Sequence, residues 1–337
     1  MPLKIALVGV GSMGTNHLRV LREFSEEQVQ LVGVSEVHEE ALARAVARFH
    51  VAGYADYRTM LQETQPDLVA VVVPTHMHFE VAAFALDAGI NVLIEKPITS
   101  TEQEALALID LAARRNVRIA VGHVERFNPA ILELKRRLSE GSLGQIFSLH
   151  ARRVGPFPPR IRDVGVVLDL ATHDLDIMRY LTDSEIVRVV AELGQHIHAT
   201  HEDMILGLLR FANNAIGVLD VNWLTPTKVR EISVTGDRGM YLVNYLTQDL
   251  FFYENDYTTT SWDVLRSIAG VSEGTMTRLK VRKAEPLRLE YEHIIAALHN
   301  DTDLIVTGVD GLAVLRVAQQ LVEATHEEKK LWATQTT

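Results

Sequence analysis

Residues 3–14 read LKIALVGVGSMG, an apolar run followed at once by three closely spaced glycines. The run has the length and composition of a buried strand, and the glycines match the G-x-G-x-x-G pattern of a dinucleotide-binding turn. In that pattern the first glycine makes the tight turn, the second admits a pyrophosphate close to the main chain, and the third lets the following helix pack on the strand. We therefore predict that a dinucleotide binds to Gly9, Val10, Gly11, Ser12, Met13 and Gly14.

Beyond this turn, the first third of the chain alternates short apolar runs with stretches of helical periodicity such as Glu39–Phe49 and Thr101–Arg115. Strands that alternate with helices indicate a doubly wound parallel sheet, and runs that are apolar throughout are typical of strands covered on both faces. We predict an α/β Rossmann domain over residues 1–123, with strands at Leu3–Val8, Val29–Ser35, Asp67–Val73, Asn91–Glu95 and Val117–Gly122.

An acidic residue, Glu36, ends the second of these strands, 22 positions after Gly14. A carboxylate at this spacing accepts hydrogen bonds from the ribose hydroxyls of NAD and repels the 2′-phosphate of NADP. Val37 and His38 follow, where an enzyme that uses NADP often has arginine. The sequence therefore predicts NAD as the cofactor.

After His123 the pattern changes from alternating elements to successive strands. Asn128–Pro129 is a good helix start, because asparagine caps helices and proline suits their first position. We predict a second α/β domain over residues 124–337, with an open, mainly antiparallel sheet. Its helices are expected at Tyr291–His299 and Leu312–Ala324, and 256–286 is predicted to be an irregular loop or lid. Its strands are expected at Gln145–Val154, Ile186–Gly194, Asp203–Phe211, Ala215–Trp223, Val229–Thr235, Gly239–Tyr245 and Asp249–Tyr253.

Two segments follow the carboxyl ends of predicted parallel strands, which is where ligands bind on an open α/β sheet. The first is Glu95–Lys96–Pro97, whose lysine can hydrogen-bond an alcohol oxygen that becomes a carbonyl. The second is residues 74–78, PTHMH, which we expect over the same crevice, near the nicotinamide ribose. Their predicted cofactor contacts are Pro74, Thr75, His78, Glu95 and Lys96. An exposed lysine after a strand is the alternative for Lys96.

The segment Val164–Leu181 is predicted to be a helix that is apolar over most of its surface. Asp169, His173 and Asp176 nevertheless share one face, because positions i, i+4 and i+7 of a helix lie together. A histidine oriented by a carboxylate suits a general base. A structural helix with a satisfied core histidine remains the alternative.

Composition narrows the function further. The 337 residues carry a formal net charge of −11, which disfavours nucleic acids and anionic membranes as partners. The absence of cysteine excludes disulfides, thiolate catalysis and cysteine-ligated zinc. No run approaches the about 20 apolar residues of a membrane span, and we expect a cytoplasmic protein. The histidine sets 76/78 and 196/198/201 lack the i, i+4 helical spacing of a metal site, so no metal is predicted.

Together the glycine turn, the Glu95–Lys96–Pro97 tripeptide and the Asp169-x-x-x-His173 helix resemble the glucose–fructose oxidoreductase/inositol dehydrogenase/MocA family over essentially the whole chain. The resemblance implies an NAD-dependent oxidoreductase acting on a secondary alcohol, with catalytic roles for Lys96, Asp169 and His173. It also implies a cis Lys96–Pro97 bond and a homo-oligomer, a dimer or tetramer, formed through the sheet of the second domain.

A narrower likeness, to family members that oxidise the 3-hydroxyl of UDP-N-acetylglucosamine, rests on residues 122–129, 160–165 and 220–228. Residues 151–162 support a phosphorylated substrate, because they hold four arginines and no acid. A basic surface loop is the alternative. The predicted substrate contacts are Arg126, Asn128, Arg152, Arg160, Arg162, Asp176, Lys228 and Arg230.

Three other functions remain open at this point. The first is an inositol or free-sugar dehydrogenase, which would need no phosphate site. The second is an NAD-binding regulatory protein without turnover, against which the intact Lys96, Asp169 and His173 speak. The third is an NAD-dependent glycosidase, since that chemistry also starts with oxidation of a 3-hydroxyl.

Overall fold

The glycine turn follows the first strand of a six-stranded sheet in which all the paired strands run parallel. The spatial order of the strands is β3-β2-β1-β4-β5-β6, so the winding reverses between β1 and β4, as it does in a Rossmann fold. The predicted doubly wound sheet is confirmed. Its strands are β1 Leu3–Val8, β2 Val29–Ser35, β3 Gly53–Tyr54, β4 Leu68–Val71, β5 Asn91–Ile94 and β6 Ile119–Val121.

This computed structural model describes residues 1–158, 164–256 and 272–335. Within those ranges, strong local signals begin several helices: Thr101 and Glu104 form a capping box, and Asn128 caps the helix that starts at Pro129. No helix of the described residues is both long and apolar enough to cross a membrane. The helices are α1 Ser12–Leu21, α2 Glu39–Phe49, α3 Tyr57–Thr64, α4 Thr75–Asp87, α5 Glu102–Arg115, α6 Pro129–Ser139, α7 Thr172–Thr182, α8 Pro286–Asn300 and α9 Gly308–Gln335.

A second sheet has eight strands in the order β14-β13-β12-β11-β7-β10-β9-β8. Every pair is antiparallel except β7 with β10, so the predicted open, mainly antiparallel sheet is confirmed. Its strands are β7 Ile146–Pro156, β8 Ile186–Gly194, β9 Met204–Phe211, β10 Ile216–Asn222, β11 Leu224–Gly236, β12 Gly239–Asn244, β13 Asp249–Asp256 and β14 Ser272–Leu279.

The prediction of an irregular segment over 256–286 is wrong at β14, because pairing with β13 orders residues whose own sequence is polar. Residues 257–271 of that segment lie outside the described ranges.

The chain divides into two compact units, residues 1–124 with 285–316 and residues 125–284 with 317–337. Residues 285–316, which the sequence analysis assigned to the second domain, therefore pack in the first unit. The reason is burial of apolar surface: Leu287 and Tyr291 of α8 enter the same core as Leu3, Ile5 and Val20.

The helix predicted over Val164–Leu181 is not regular. Residues Val167–Ala171 form a π-helical turn, and the α-helix α7 begins only at Thr172. The Thr172 hydroxyl donates to the Leu168 carbonyl at 3.1 Å, a side-chain bond to the main chain of the widened turn. Such single π-turns occur often at functional sites, and this one contains Asp169.

Candidate active site

The glycine turn after β1 has the shape that a pyrophosphate requires. Gly9 has a φ of +96°, and a Cβ there would lie 2.3 Å from the Val72 carbonyl oxygen. A Cβ at Gly14 would lie 1.9 Å from the Gly9 carbonyl oxygen. At Gly11, by contrast, a Cβ would meet nothing within 4 Å. Two glycines are therefore required by packing, while the third borders open space that a ligand can approach.

Helix α1 begins directly after this turn, with no side-chain cap and no acidic residue in its first turn. Its first N–H groups are thus available to an anion. At the end of β2, Glu36 accepts hydrogen bonds from the Val10 N–H and the His38 N–H, each at 3.0 Å. The carboxylate is thereby held beside the glycine turn, where the sequence predicts the ribose, and these residues fit a bound NAD.

The turn after β5 carries Lys96 and contains the cis Lys96–Pro97 bond that the family resemblance implies. The Glu95 carboxylate accepts the Lys96 N–H at 3.2 Å. Pro74 precedes α4, and Thr75 is the first residue of that helix. Their contacts with the cofactor stay predictions.

His78 is buried, and both of its ring nitrogens are bonded within the protein. Its side chain is 1% exposed, with Nδ1 2.8 Å from the Pro97 carbonyl oxygen and Nε2 2.9 Å from that of Val73. Burial lowers the pKa of His78, against the opposing effect of the two carbonyls. The ring joins the end of β4 to the Lys96 turn, and this structural role replaces the predicted contact with the nicotinamide ribose.

In the second unit, two buried ion pairs hold α7. Arg153 of β7 bonds Asp174 through Nε at 2.7 Å and Nη2 at 3.0 Å. Arg126 bonds Asp176 in the same two-pronged way, at 2.8 and 2.6 Å. In each pair the arginine is 4% exposed and the aspartate 1%. Arg126 and Asp176, predicted to bind substrate, are therefore occupied by each other, and Asp176 does not join an accessible stripe with His173.

Asp169 and His173 are both partly exposed, which leaves them accessible to a small molecule. Arg230 on β11 lies close enough for the charges of Asp174, Glu125 and, to a smaller extent, Asp169 to act on its guanidinium. Burial and the nearby charge of Arg153 lower the pKa of Arg230 to about 10. Its Nη1 donates to the main-chain carbonyls of Val154 and Val229 at 2.8 and 3.0 Å. Among the described residues, no carboxylate lies within ion-pairing distance of it.

The remaining predicted substrate residues fall in different places. Asn128 is 2% exposed and caps α6, accepting the Ala130 N–H at 3.1 Å and donating to the Tyr245 carbonyl. Lys228 is exposed, two residues before Arg230. Arg160 and Arg162 lie outside the described residues.

Arg152 is 54% exposed and pairs with Asp220 on β10 at 3.2 Å. Successive side chains of a strand point to opposite faces, so Arg152 is turned away from α7 while Arg153 faces it. The buried Leu149 and Ala151 share the phase of Arg153, and this alternation was the signal that the sequence analysis missed.

Comparison with known proteins identifies the family. The GFO/IDH/MocA model "Oxidoreductase family, NAD-binding Rossmann fold" matches residues 3–123, and the GFO/IDH/MocA C-terminal domain matches residues 131–242. The chain belongs to the GFO/IDH/MocA family. It is therefore an NAD-binding oxidoreductase, and the prediction of NAD as the cofactor is confirmed.

Similar GFO/IDH/MocA proteins are dehydrogenases of sugars and inositol. UDP-N-acetylglucosamine 3-dehydrogenase of Acidithiobacillus ferrooxidans is 30% identical over 95% of this chain and 96% of its own length. Its solved structure superposes with a TM-score of 0.84, with 29% identity over 96% of this chain and 97% of that one. Inositol 2-dehydrogenase 1 of Saccharopolyspora erythraea is 28% identical over 97% of this chain and 95% of its own length. This GFO/IDH/MocA chain is accordingly an enzyme of the sugar-dehydrogenase type.

The role of Glu36 in this GFO/IDH/MocA protein can be tested directly. Glu36→Ser should lower the ratio of the NADP dissociation constant to the NAD dissociation constant by about tenfold or more, which corresponds to about 1.4 kcal/mol. The reason is that the charge that repels a 2′-phosphate is gone. Glu36→Gln separates the charge from the local structure: its amide oxygen can still accept the Val10 N–H, but it also lacks the charge, so the ratio should fall as it does in Glu36→Ser. Calorimetric dissociation constants for both cofactors check the prediction, and tighter binding of NADP by the wild type would refute it.

Proposed function

We propose that this enzyme oxidises the 3-hydroxyl of UDP-N-acetylglucosamine to a ketone. The likeness to a UDP-N-acetylglucosamine 3-dehydrogenase over nearly the full length of both chains supports this substrate. The observation that carries the proposal is Arg230, a half-buried cation with no carboxylate of the described residues in ion-pairing range, placed where the charge of Asp169 reaches it. An uncharged polyol would need no such group, whereas a diphosphate would.

In the proposed reaction the substrate O–H proton goes to His173, and Asp169 orients the imidazole. Lys96 hydrogen-bonds the same oxygen and stabilises the negative charge that develops on it as the carbonyl forms. NAD supplies the acceptor for the hydride that leaves the carbon. Hydride and proton together account for the two hydrogens lost by the alcohol.

A substrate screen combined with one variant tests this function. Purified enzyme with NAD should reduce the cofactor fastest with UDP-N-acetylglucosamine, and Arg230→Met should raise KM for that substrate about tenfold or more, because each charge-assisted phosphate contact contributes about 1.5–3 kcal/mol. KM for NAD should stay unchanged.

Arg152→Met is the matched control, because Arg152 is also an arginine of this sheet but is turned away from α7 and pairs with Asp220. It should leave both KM values unaltered. If free N-acetylglucosamine or an inositol is oxidised as fast as the UDP-sugar, and Arg230→Met has no effect, the inositol or free-sugar dehydrogenase replaces the proposed function.

The predicted homo-oligomer also stays a proposal, and an apolar patch supports it. Val190 and Leu208 are neighbours across β8 and β9, and each is about half exposed, at 50% and 53%. Leu206, at 49%, continues the patch along β9. Contiguous exposed apolar surface on a sheet face is typical of a contact between protein subunits.

A further inference from the structure

We infer that His17 and Tyr291 are positioning residues that act on Lys96 through Glu95. The inference concerns side chains of the first unit alone and rests on the proposed function only for the catalytic role of Lys96. It adds a buried hydrogen-bonded chain, Tyr291–His17–Glu95, whose last member holds the turn that carries the lysine.

The geometry of this chain is continuous. The Tyr291 hydroxyl lies 2.7 Å from His17 Nδ1, and His17 Nε2 lies 2.9 Å from Glu95 Oε1. The other carboxylate oxygen, Oε2, accepts the Lys96 N–H. His17 and Tyr291 are 0% exposed, so water does not compete for these bonds. Both oxygens of Glu95 are thus committed, one to fixing the carboxylate and one to fixing the main chain at Lys96.

His17 Nε2 is the donor to Glu95 whether the ring is neutral or charged, because an ionised carboxylate can only accept. The roles for a neutral ring are then as follows. The Tyr291 hydroxyl donates to Nδ1, and Nε2–H donates to the Glu95 carboxylate. Burial raises the pKa of Glu95, but the hydrogen bond and the charge of His17, followed by the charge of Lys96, outweigh burial and lower it.

A second buried acid of the first unit, Glu290, lacks the hydrogen bonds that Glu95 has. Its side chain is 1% exposed, and neither of its oxygens has a hydrogen-bond partner among the described residues. Burial raises the pKa of Glu290 well above its ordinary value, and the charge of Glu95 raises it further. The pKa values of the two buried carboxyls are thus shifted in opposite directions, down at Glu95 and up at Glu290, and only Glu95 has hydrogen bonds to His17 and Lys96.

The test removes the middle of the chain. In His17→Leu, Glu95 Oε1 loses its donor, the buried carboxylate takes up a proton, and Lys96 loses the charge beside it. We expect kcat to fall about 10–100-fold, the scale of a misplaced catalytic group, while KM for NAD changes less than twofold. Acetylation of Lys96 by acetic anhydride at pH 8, followed by peptide mass spectrometry, should be at least about threefold faster than in the wild type, because the turn that carries the amine is no longer held in place by Glu95.

Three further variants distinguish loss of the hydrogen-bonded chain from general damage to the core. His17→Gln should restore much of kcat and the slow acetylation, because its amide can donate to Glu95 and accept from Tyr291. Tyr291→Phe should give a smaller loss than His17→Leu. Glu290→Gln is the control for a substitution in the same buried region: it changes a carboxyl that makes no hydrogen bond to the Tyr291–His17–Glu95 chain, and it should leave both readouts unchanged.

Two outcomes would overturn the inference. One is wild-type kcat and wild-type Lys96 acetylation in a folded His17→Leu protein. The other is equal losses in His17→Leu, His17→Gln and Glu290→Gln, which would indicate general damage to the core. The acetylation rate needs no turnover, so it decides the inference even if Lys96→Ala remains active and the proposed catalytic role of Lys96 fails.

Discussion

A His173→Ala variant should bind NAD with near-normal affinity while its kcat falls by about 10²–10⁴-fold, the usual contribution of a general acid–base group. His173 is partly exposed at the start of α7, and the catalytic role proposed for it is to take the hydroxyl proton. Lys96→Ala should give a loss of similar size, because the developing charge on the same oxygen would lose its hydrogen bond.

Steady-state kinetics with the substrate found in the screen, together with calorimetric NAD affinities, checks this prediction. The matched control is His150→Ala, an exposed histidine on the face of β7 that is turned away from α7, which should leave kcat unaltered. Turnover at the wild-type rate in either catalytic variant would remove that residue from the mechanism.

The largest loss of stability is expected from breaking the Arg153–Asp174 pair. Arg153→Met should lower the free energy of unfolding by about 3–5 kcal/mol, because Asp174 would remain as a buried charge without its partner. Asp174 and Glu125 outweigh burial and raise the pKa of Arg153, so the arginine stays charged at all accessible pH values. Since Asp174 lies on α7 next to His173, kcat should fall as well.

Urea unfolding measures the effect, and two comparisons interpret it. Arg152→Met, one residue away on the opposite face, should change the free energy of unfolding by less than about 1 kcal/mol, as expected for an exposed ion pair. The double variant Arg153→Met, Asp174→Leu should recover much of the loss, since apolar side chains can replace a buried ion pair. An equal loss in the single and double variants would show that packing around Arg153, and not the unpaired charge, carries the effect.

The positions that could be predicted from the sequence lie mostly at the strand ends of the first unit. The glycine turn, Glu36 and the Glu95–Lys96–Pro97 segment each follow one strand, and parallel strands place their carboxyl ends on one edge. Their positions could therefore be predicted from strand signals and motif spacing alone. Asp169 and His173 could be proposed as candidates in a similar way, because they lie four positions apart on a predicted helix that is apolar over most of its surface.

The partners of buried charges could not be predicted in this way. Arg126 and Asp176 are 50 residues apart and look like a free cation and a free anion in the sequence, yet they satisfy each other. The hydrogen bond between His17 and Tyr291 could not be predicted either, because these two residues are 274 positions apart. A buried charge must find a partner, but local sequence does not say which one.

By itself, then, the sequence determined the order and type of most elements, the cofactor turn and the candidates for proton transfer, because these depend on backbone conformation and periodicity over a few residues. Only the tertiary structure decided that α8 packs in the first unit, that β14 pairs with β13, and that His78 is structural. These outcomes depend on apolar burial and on hydrogen bonding between residues far apart in the chain, and such contacts leave no trace in the local pattern.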